Sequence, residues 1–531
     1  MLTTNTTMRG YQSGVVCICA GLVLVLSCNR TVTFKKNQSH SSIPDEDIAA
    51  GQKLAATYCQ SCHMLPDPSL LDATTWEKGI MPQMGPRLGI FHHGLEVYSA
   101  DTGPYSRMPK GFYPDKPMMT DAEWQHIIDY YTAVSPDSLP GQQRQIPLRP
   151  DTSFFRAEVP SRRYIMPLTC MVRIDTASRQ LLVSDVERRF LYTCDPQLRY
   201  RDSSAVSGAI VDLLFQPPYM VGCNIGEMFP TNAKSGAVFR FKRDAHGGWT
   251  ADTTPVFKGL GRPVELAAAD LNGDGRTDYL VCEFGYTIGQ LSWMENMGNG
   301  RFESHVIRPV AGAIQAHIFD YNHDGKPDLF VEFAQGEEGI FLFTNKGNGV
   351  FDGEEILRFP PCYGSTYFEL DDFNKDGHPD ILYTCGDNAD YSRIRKPYHG
   401  VYIFMNDGHE HFTQKYFFPM DGCYRAMARD FTGDGNLDIA AIAYFADYQR
   451  QPSEGFVFLK HGSGPLDFTP YSVPATESGR WMTMDVGDLD GDGKPEIVLG
   501  NCSTGPFSFP TRVDFKQGPP FMVLHVAAGG K

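Results

Sequence analysis

Three residues in "AATYCQSCHMLPD", Cys59, Cys62 and His63, have the types and spacing for covalent capture of an iron macrocycle. Two thiols two residues apart add to two vinyl groups as thioethers, and the imidazole next along reaches the iron from the same turn. C-x-x-C-H is accordingly the attachment signature of c-type haem. A dithiol redox pair or half a zinc site would use the same cysteines. Neither matches the surroundings, because no βαβ pattern flanks the motif and no second C-x-x-C follows it. A thioether on the opposite side of the iron would keep it six-coordinate, which suits electron transfer rather than oxygen activation. Met81, Met84, Met108, Met118 and Met119 are the candidates.

A second set of ligands recurs along the C-terminal half. The loops "DLNGDGRTD", "DYNHDGKPD", "DFNKDGHPD", "DFTGDGNLD" and "DLDGDGKPE" begin at Asp270, Asp320, Asp372, Asp430 and Asp488, at separations of 50, 52, 58 and 58 residues. Oxygen-bearing side chains fall at positions 1, 3, 5 and 9. They are Asp270, Asn272, Asp274 and Asp278; Asp320, Asn322, Asp324 and Asp328; Asp372, Asn374, Asp376 and Asp380; Asp430, Thr432, Asp434 and Asp438; and Asp488, Asp490, Asp492 and Glu496. Hard oxygen donors at that density suit calcium, with a backbone carbonyl at position 7 completing the set. An EF-hand also needs glutamate at position 12 and helices on both sides. Position 12 is Val281, Val331, Tyr383, Ala441 or Leu499, and the segments that follow, such as "YLVCEFG" and "IAAIAYF", are short β-rich runs. About five structural Ca²⁺ ions held between strands are expected instead.

The elements that must position these groups differ in kind. Around the cysteines, "DEDIAAGQKLAATYC" reads as a helix leading into the motif, "PSLLDATTWEKGIMPQMG" as a second, and "TDAEWQHIIDYYTAV" as a third with Thr120 as N-cap and Glu123 three residues on. The segment resembles class I cytochromes c, whose C-terminal helix packs its aromatic residues on the N-terminal one. "WEKGIMPQMG" resembles the Trp-to-Met helix that follows the haem motif in some haem modules fused to other enzymes, which implies Met84 as the axial ligand. Met108, whose distance from His63 resembles that in small bacterial cytochromes, is the alternative.

Each acidic loop lies between apolar strands, for example "PVELAAAD" before and "YLVCEFG" after, and an Asn-x-Gly-x-Gly-x-Phe turn follows the third strand. This pattern resembles FG-GAP (VCBS-type) repeats, the blades of integrin-α-like β-propellers, in which the calcium loop joins neighbouring strands of one blade. Five loops account for the chain from about residue 259. "TCMVRIDTASRQLLVSDVERRFLYTCD" and residues about 205–258 read as two further blades without the carboxylates, making seven. "FMVLHVAAGG" is expected to complete one blade at ring closure. The fold class is therefore multidomain, with a small all-α cytochrome c domain followed by an all-β propeller.

Residues 14–27, "GVVCICAGLVLVLS", form an apolar run too short to span a bilayer comfortably, preceded by Arg9. It ends in "VLSC", which resembles a bacterial lipobox with Cys28 as the lipidated residue. The expected organisation is a lipoprotein signal peptide at 1–27, a flexible tether at 28–44, the haem domain at 45–138, a linker at 139–160 and the propeller at 161–531. That places the protein outside the cytoplasm, on the periplasmic side of a membrane or at the cell surface, anchored only by lipid. The remaining cysteines, Cys170, Cys194, Cys223, Cys282, Cys362, Cys385, Cys423 and Cys502, are scattered singly, and those inside apolar strands read as small buried hydrophobes.

A formal charge of −16 argues against nucleic-acid binding. Sixteen acidic side chains sit in the five loops, so the acidity belongs mostly to internal metal sites. No G-x-S-x-G, H-E-x-x-H or P-loop occurs, and adjacent His92 and His93 point apart on any regular element. Around the propeller channel, Arg262, His317, Tyr367, Arg425, Arg480 and Trp481 lead into first strands, and Glu283 and Glu332 stand beyond the loops in matching places. Such a rim could hold anionic or carbohydrate ligands. The function expected is electron transfer to or from a redox partner protein, with the propeller recognising a partner or ligand. The alternative is an oxidoreductase whose propeller oxidises a substrate and passes electrons to the haem.

Overall fold

The computed structural model describes residues 32–101, 108–244, 248–389, 392–505 and 510–527. The apolar leader and Cys28 lie outside the described residues. Among the described residues no helix is long and apolar enough to cross a membrane.

An N-terminal helical unit is built on two crossing helices, an opening helix at Asp45–Tyr58 and a closing helix at Asp121–Val134. The closing helix starts with the expected capping box: Thr120 Oγ1 accepts from Glu123 N, and Glu123 Oε2 accepts from Thr120 N. The two helices meet at Gly51, where the absent side chain lets the backbone around His126 come into contact. Ile48, Ala55, Trp76, Trp124, Ile127 and Tyr131 form the buried core beside that crossing. Fully burying each large apolar side chain stabilises by about 1.5–3 kcal/mol.

Two expectations change here. The stretch after the Cys59–His63 motif is helical but starts later and is less regular than expected: Pro68–Leu70 is a separate turn, and 73–88 run on without a break as Ala73–Thr75, a wide turn at Trp76–Ile80, Met81–Met84 and a tight last turn at Gly85–Leu88. Pro82 and Pro86 each lack the N–H that would continue an α-helical ladder. Nor is the tether free to residue 44. Phe34 and Ile43 pack on the helical core, Asn37 Nδ2 donates to Thr132 O at 2.7 Å, and Lys36 pairs with Asp45 at 2.9 Å.

The rest is a seven-bladed β-propeller. Each blade is a sheet whose first four strands pair in chain order, antiparallel throughout, in blades 1 to 6. Their first strands are Thr169–Asp175, Ile210–Gln216, Pro263–Ala269, Ala313–Phe319, Ser365–Asp371 and Cys423–Arg429, and Trp481–Gly487 opens blade 7. Contacts between successive first strands run round the ring and return from blade 7 to blade 1. The second strands of blades 3 to 7 are buried at every residue, which is why they read as unbroken apolar runs rather than as alternation. Fourth strands are more exposed, as in Arg301–Arg308, where no residue is buried.

Closure differs from the expectation in one respect. Phe521–Val526 is the third strand of blade 7, and the fourth is Phe155–Glu158, paired antiparallel to it. Arg149–Pro150 adds a short parallel strand to blade 6. The 139–160 stretch, read as a linker, is therefore woven into two blades. The ten described cysteines are all free thiols, and seven of the eight in the propeller are buried, Cys362 being half-buried.

Candidate functional site

The opening helix ends at Tyr58, and Cys59–Ser61 continue it as a tight turn in which Cys62 N donates to Cys59 O at 3.4 Å. Cys59 is half-buried against the helical core and Cys62 is exposed, so the two thiols border a common surface. Burial pushes the Cys59 thiol up to about 11. His63 Nδ1 lies 2.8 Å from Met64 O. A carbonyl only accepts, so Nδ1 carries the proton and Nε2 keeps its lone pair. Burial also holds the His63 ring below its usual pKa, favouring the neutral imidazole. The chain beyond His63 is pinned by the closing helix: Tyr131 Oη donates to Pro66 O, and both Ser135 Oγ and Trp76 Nε1 donate to Pro68 O.

The methionines separate by environment. Met81 and Met119 are core residues, and Met118 is exposed. Met84 is half-buried and packs on the same cluster as Cys59 and Leu65. Met108 lies against the propeller, where Asn232 Nδ2 approaches its sulfur at 3.2 Å. The unit docks on blade 5, where Cys362 and Ile394 join its core and Tyr398 Oη donates to Leu70 O at 3.1 Å. His92 and His93 form one side of a two-residue hairpin, and His93 meets Gln125 rather than a metal cluster.

The five acidic loops share one architecture, each joining the first and second strands of its blade. The position 1 carboxylate accepts the position 6 N–H in every loop, and Asp270 takes Gly273, Asp274 and Gly275 N at 2.7–3.1 Å. Position 6 is left-handed in all five, with φ of 81–89° at Gly275, Gly325, Gly377, Gly435 and Gly493, which explains the glycine. The position 9 carboxylates are buried and clip the loop to the blade. Asp278 takes Leu271 N and Asn296 N, Asp328 takes Tyr321 N and Asn345 N, and Asp380 takes Phe373 N and Asn406 N. Asp438 takes Thr432 N and His461 N, while Glu496 takes Leu489 N. Burial nevertheless raises Asp278 and Asp438, and lifts Asp380 to about 6. Asn272, Asn322, Asn374 and Thr432 supply neutral oxygens at position 3. In the last loop, ligand oxygens of Asp488, Asp490 and Asp492 lie within 4.8 Å of one another. An all-oxygen donor set of this kind fits a hard divalent cation.

Around the channel, rim candidates take part in links between blades. Arg173 of blade 1 pairs with Asp212 of blade 2, and Asp212 Oδ2 accepts Leu266 N of blade 3 at 3.0 Å. Glu265 Oε2 accepts Ala316 N of blade 4 at 2.5 Å, and His317 Nε2 donates to Phe368 O of blade 5 at 3.1 Å. Glu369 Oε2 accepts Ala428 N of blade 6, Arg425 Nη1 donates to Met484 O of blade 7, and Asp485 Oδ2 accepts Ile174 N of blade 1. Every junction between neighbouring blades thus carries one inner side-chain link. His317 and Arg425 are struts in this ring, and Tyr367 Oη donates to Glu369 within it.

The other rim candidates are likewise committed. Arg262 donates to the carbonyls of Gly285 and Met228, Arg480 to Tyr444 O, and Trp481 is fully buried with its indole N–H on Thr476 O. Glu283 and Glu332 do not stand in matching places. Glu283 pairs with Pro263 but Glu332 with Gln315, one position out of step, so they face opposite sides of their blades. Glu283 accepts Gly261 N at 2.7 Å, while Glu332 is wholly buried and its proton affinity is raised by burial and by Glu338 and Glu265. Sequence reasoning missed Arg173, Asp212, Glu265, Glu369 and Asp485 as ring members.

Comparison with known proteins bears on the propeller. The FG-GAP-like repeat family matches residues 270–331 and 430–499. Integrin alpha pat-2 of Caenorhabditis briggsae is 25% identical over 215 residues, 35% of this chain and 17% of that one. Integrin alpha-PS5 of Drosophila melanogaster is 33% identical over 122 residues, 19% of this chain and 12% of that one. The chain therefore spans less than a fifth of the length of these relatives. Among solved structures, streptogramin B lyase aligns with a TM-score of 0.44 and 11% identity, covering 70% of this chain and 98% of that one. Sqt1 of Saccharomyces cerevisiae aligns with a TM-score of 0.43 and 8% identity, covering 71% and 100%. The chain carries FG-GAP-like repeats, is similar over part of its length to integrin α chains, and folds as a seven-bladed β-propeller preceded by a helical unit.

Proposed function

We propose that this is an exported, lipid-anchored monohaem c-type cytochrome whose calcium-stapled propeller recognises a partner protein, or an anionic or carbohydrate ligand, and docks the redox unit beside it. The observation that carries the haem reading is the turn at Cys59–His63. Two thiols border one surface, and His63 is held through Nδ1 with its Nε2 lone pair available. An axial histidine is normally oriented by such a bond from its other nitrogen. Bound haem would supply one-electron transfer. The chain's own part is to hold the His63 ring by Met64 O, to fix the following segment through Tyr131 and Ser135, and to offer a thioether from Met84 or, alternatively, Met108.

Calcium at the five loops is part of the same proposal, supported by the repeated oxygen donor set and the left-handed glycine at position 6. Lipid at Cys28 would tether the protein to a membrane, with a redox partner protein meeting it outside the cytoplasm. Substrate oxidation by the propeller draws less support, because the channel-facing polar side chains are engaged in links between blades.

The test is expression with a c-type cytochrome maturation system, followed by a denaturing haem stain and a pyridine haemochrome spectrum. One covalent haem per chain is expected in the wild type and none in a Cys59→Ser/Cys62→Ser variant. A colourless wild type with two titratable thiols at these positions would refute the haem reading and leave the propeller reading intact.

A further inference from the structure

The fifth acidic loop differs from the other four in its neighbours. His525, on the third strand of blade 7, is 8% exposed, and neither ring nitrogen has a hydrogen-bond partner. Its Nδ1 lies 3.5 Å from Glu496 Oε1 and 3.9 Å from Asp490 Oδ2, and its Nε2 lies 3.5 Å from Glu158 Oε2. Ligand atoms of Asp490, Glu496 and His525 all fall within 4.8 Å of one another. The other oxygens of Glu496 and Asp490 turn away from this space. Glu496 Oε2 takes Leu489 N at 2.8 Å, Asp490 Oδ1 takes Asp492 N at 3.1 Å, and Glu158 Oε2 is also bonded by Arg156 at 2.7 Å.

We propose that Asp490, Glu496 and His525 form a mixed nitrogen–oxygen site for a borderline divalent ion of the zinc class, which when present takes two carboxylates of the fifth loop that calcium would otherwise use. Calcium takes oxygen ligands, whereas imidazole suits zinc and its neighbours. A tetrahedron with bonds of about 2.0–2.1 Å has ligand–ligand edges of about 3.3 Å, close to the spacing of His525 Nδ1 from the two carboxylates. With Nδ1 on the ion, Nε2–H points at Glu158, the carboxylate that would orient the ring and raise its basicity.

The position gives the site a role. In the same-numbered place the other acidic blades carry Glu295, Thr344, Met405 and Lys460, opposite Asp278, Asp328, Asp380 and Asp438. Only blade 7 has a histidine there, and only blade 7 is assembled from both ends of the propeller chain. Glu158 lies on the N-terminal strand, His525 on the C-terminal strand, and Val523 pairs with Glu158 across the seam. An ion at this place would staple the ring where no peptide continuity does.

The experiment uses the full-length protein, dialysed against chelator and returned to excess calcium, then titrated with Zn²⁺ alone. Wild type should retain one tight zinc equivalent that His525→Gln lacks, and Glu158→Gln should keep the equivalent with affinity about 10–100-fold lower. Hydrogen exchange on the wild type gives a reading independent of any variant. At zinc about 100-fold above its Kd, amides in 155–158 and 521–526 should exchange up to about 100-fold more slowly while those of blades 2 to 4 are unchanged. Equal zinc binding by His525→Gln, displacement of all zinc by calcium, or zinc protection spread evenly over the blades would each overturn the assignment.

Discussion

Replacing Gly51 by alanine should loosen the helical unit and misplace the Cys59–His63 turn without touching the propeller. A Cβ at Gly51 would stand 1.8 Å from the carbonyl oxygen of His126, 2.5 Å from its carbonyl carbon and 2.9 Å from Tyr130 Cβ. Two of these are backbone atoms of the closing helix, so no side-chain rotation relieves the overlap. The helices must separate by more than about 1 Å, enough to forfeit a quarter to a half of the dispersion energy of contacts across the crossing. Overpacking of this kind costs about 1–3 kcal/mol, and the rigid partner places Gly51→Ala near the upper end. Peptides covering 121–134 should then exchange amide hydrogen on the order of 100-fold faster, with blade peptides unchanged. Gly141→Ala is the control, since a Cβ there meets nothing within 4 Å. Wild-type exchange in the closing helix of Gly51→Ala would refute the claim that this contact sets the helix crossing.

Other consequences are as direct. Asp485→Ala leaves Ile174 N–H unpaired at the junction of blades 7 and 1 and should cost about 1–3 kcal/mol in urea unfolding, whereas Asp175→Ala, whose half-buried carboxylate only takes Ser178 in the following turn, should cost less. Glu454 is wholly buried beside Arg144, and burial lifts its carboxyl to about 7. A carboxyl that binds its proton more tightly when folded stabilises fully below its unfolded pKa and loses that contribution as pH rises toward about 7. Wild type should therefore lose stability relative to Glu454→Gln between about pH 4.5 and pH 7, and parallel pH profiles would refute this. Thr120→Ala should lower stability by about 1 kcal/mol by removing the cap, with Thr120→Ser restoring most of it. In protein carrying covalent haem, Met84→Ala should abolish the methionine-ligated low-spin spectrum and Met108→Ala should preserve it, the reverse result assigning Met108.

What was legible in the sequence was whatever is local. A loop whose donors, glycine and flanking strands lie within about twenty residues announces itself, and so does a capping box such as Thr120–Glu123. The seven-blade count followed from the loop spacing because each blade repeats one chain path. The inner ring was hidden for the opposite reason. Its members are Arg, Asp, Glu, His and again Glu, Arg and Asp, and nearly all bind backbone of the next blade, so neither residue type nor spacing repeats. Glu283 and Glu332 misled because each follows an acidic loop at almost the same distance, and in a strand one residue of offset reverses the face. Phe155–Glu158 is four residues long and gains its identity only from the strand it completes.

That strand constrains how the two parts of the molecule relate. A freely hinged helical unit would need an unanchored connection, whereas the partly exposed segment between the closing helix and blade 1 is tied to the propeller at several points. Gln142 donates to His399 O at 2.7 Å, Arg144 to Pro419 O at 3.0 Å and to Glu454 at 2.5 Å, and the next residues enter blades 6 and 7 as strands. The segment that closes the ring thus also ties the helical unit to the propeller, and together with the Tyr398–Leu70 contact on blade 5 it fixes the Cys59–His63 turn relative to the propeller face. A partner recognised by the propeller would then meet the Cys59–His63 turn in one defined orientation, as the proposed electron transfer would require.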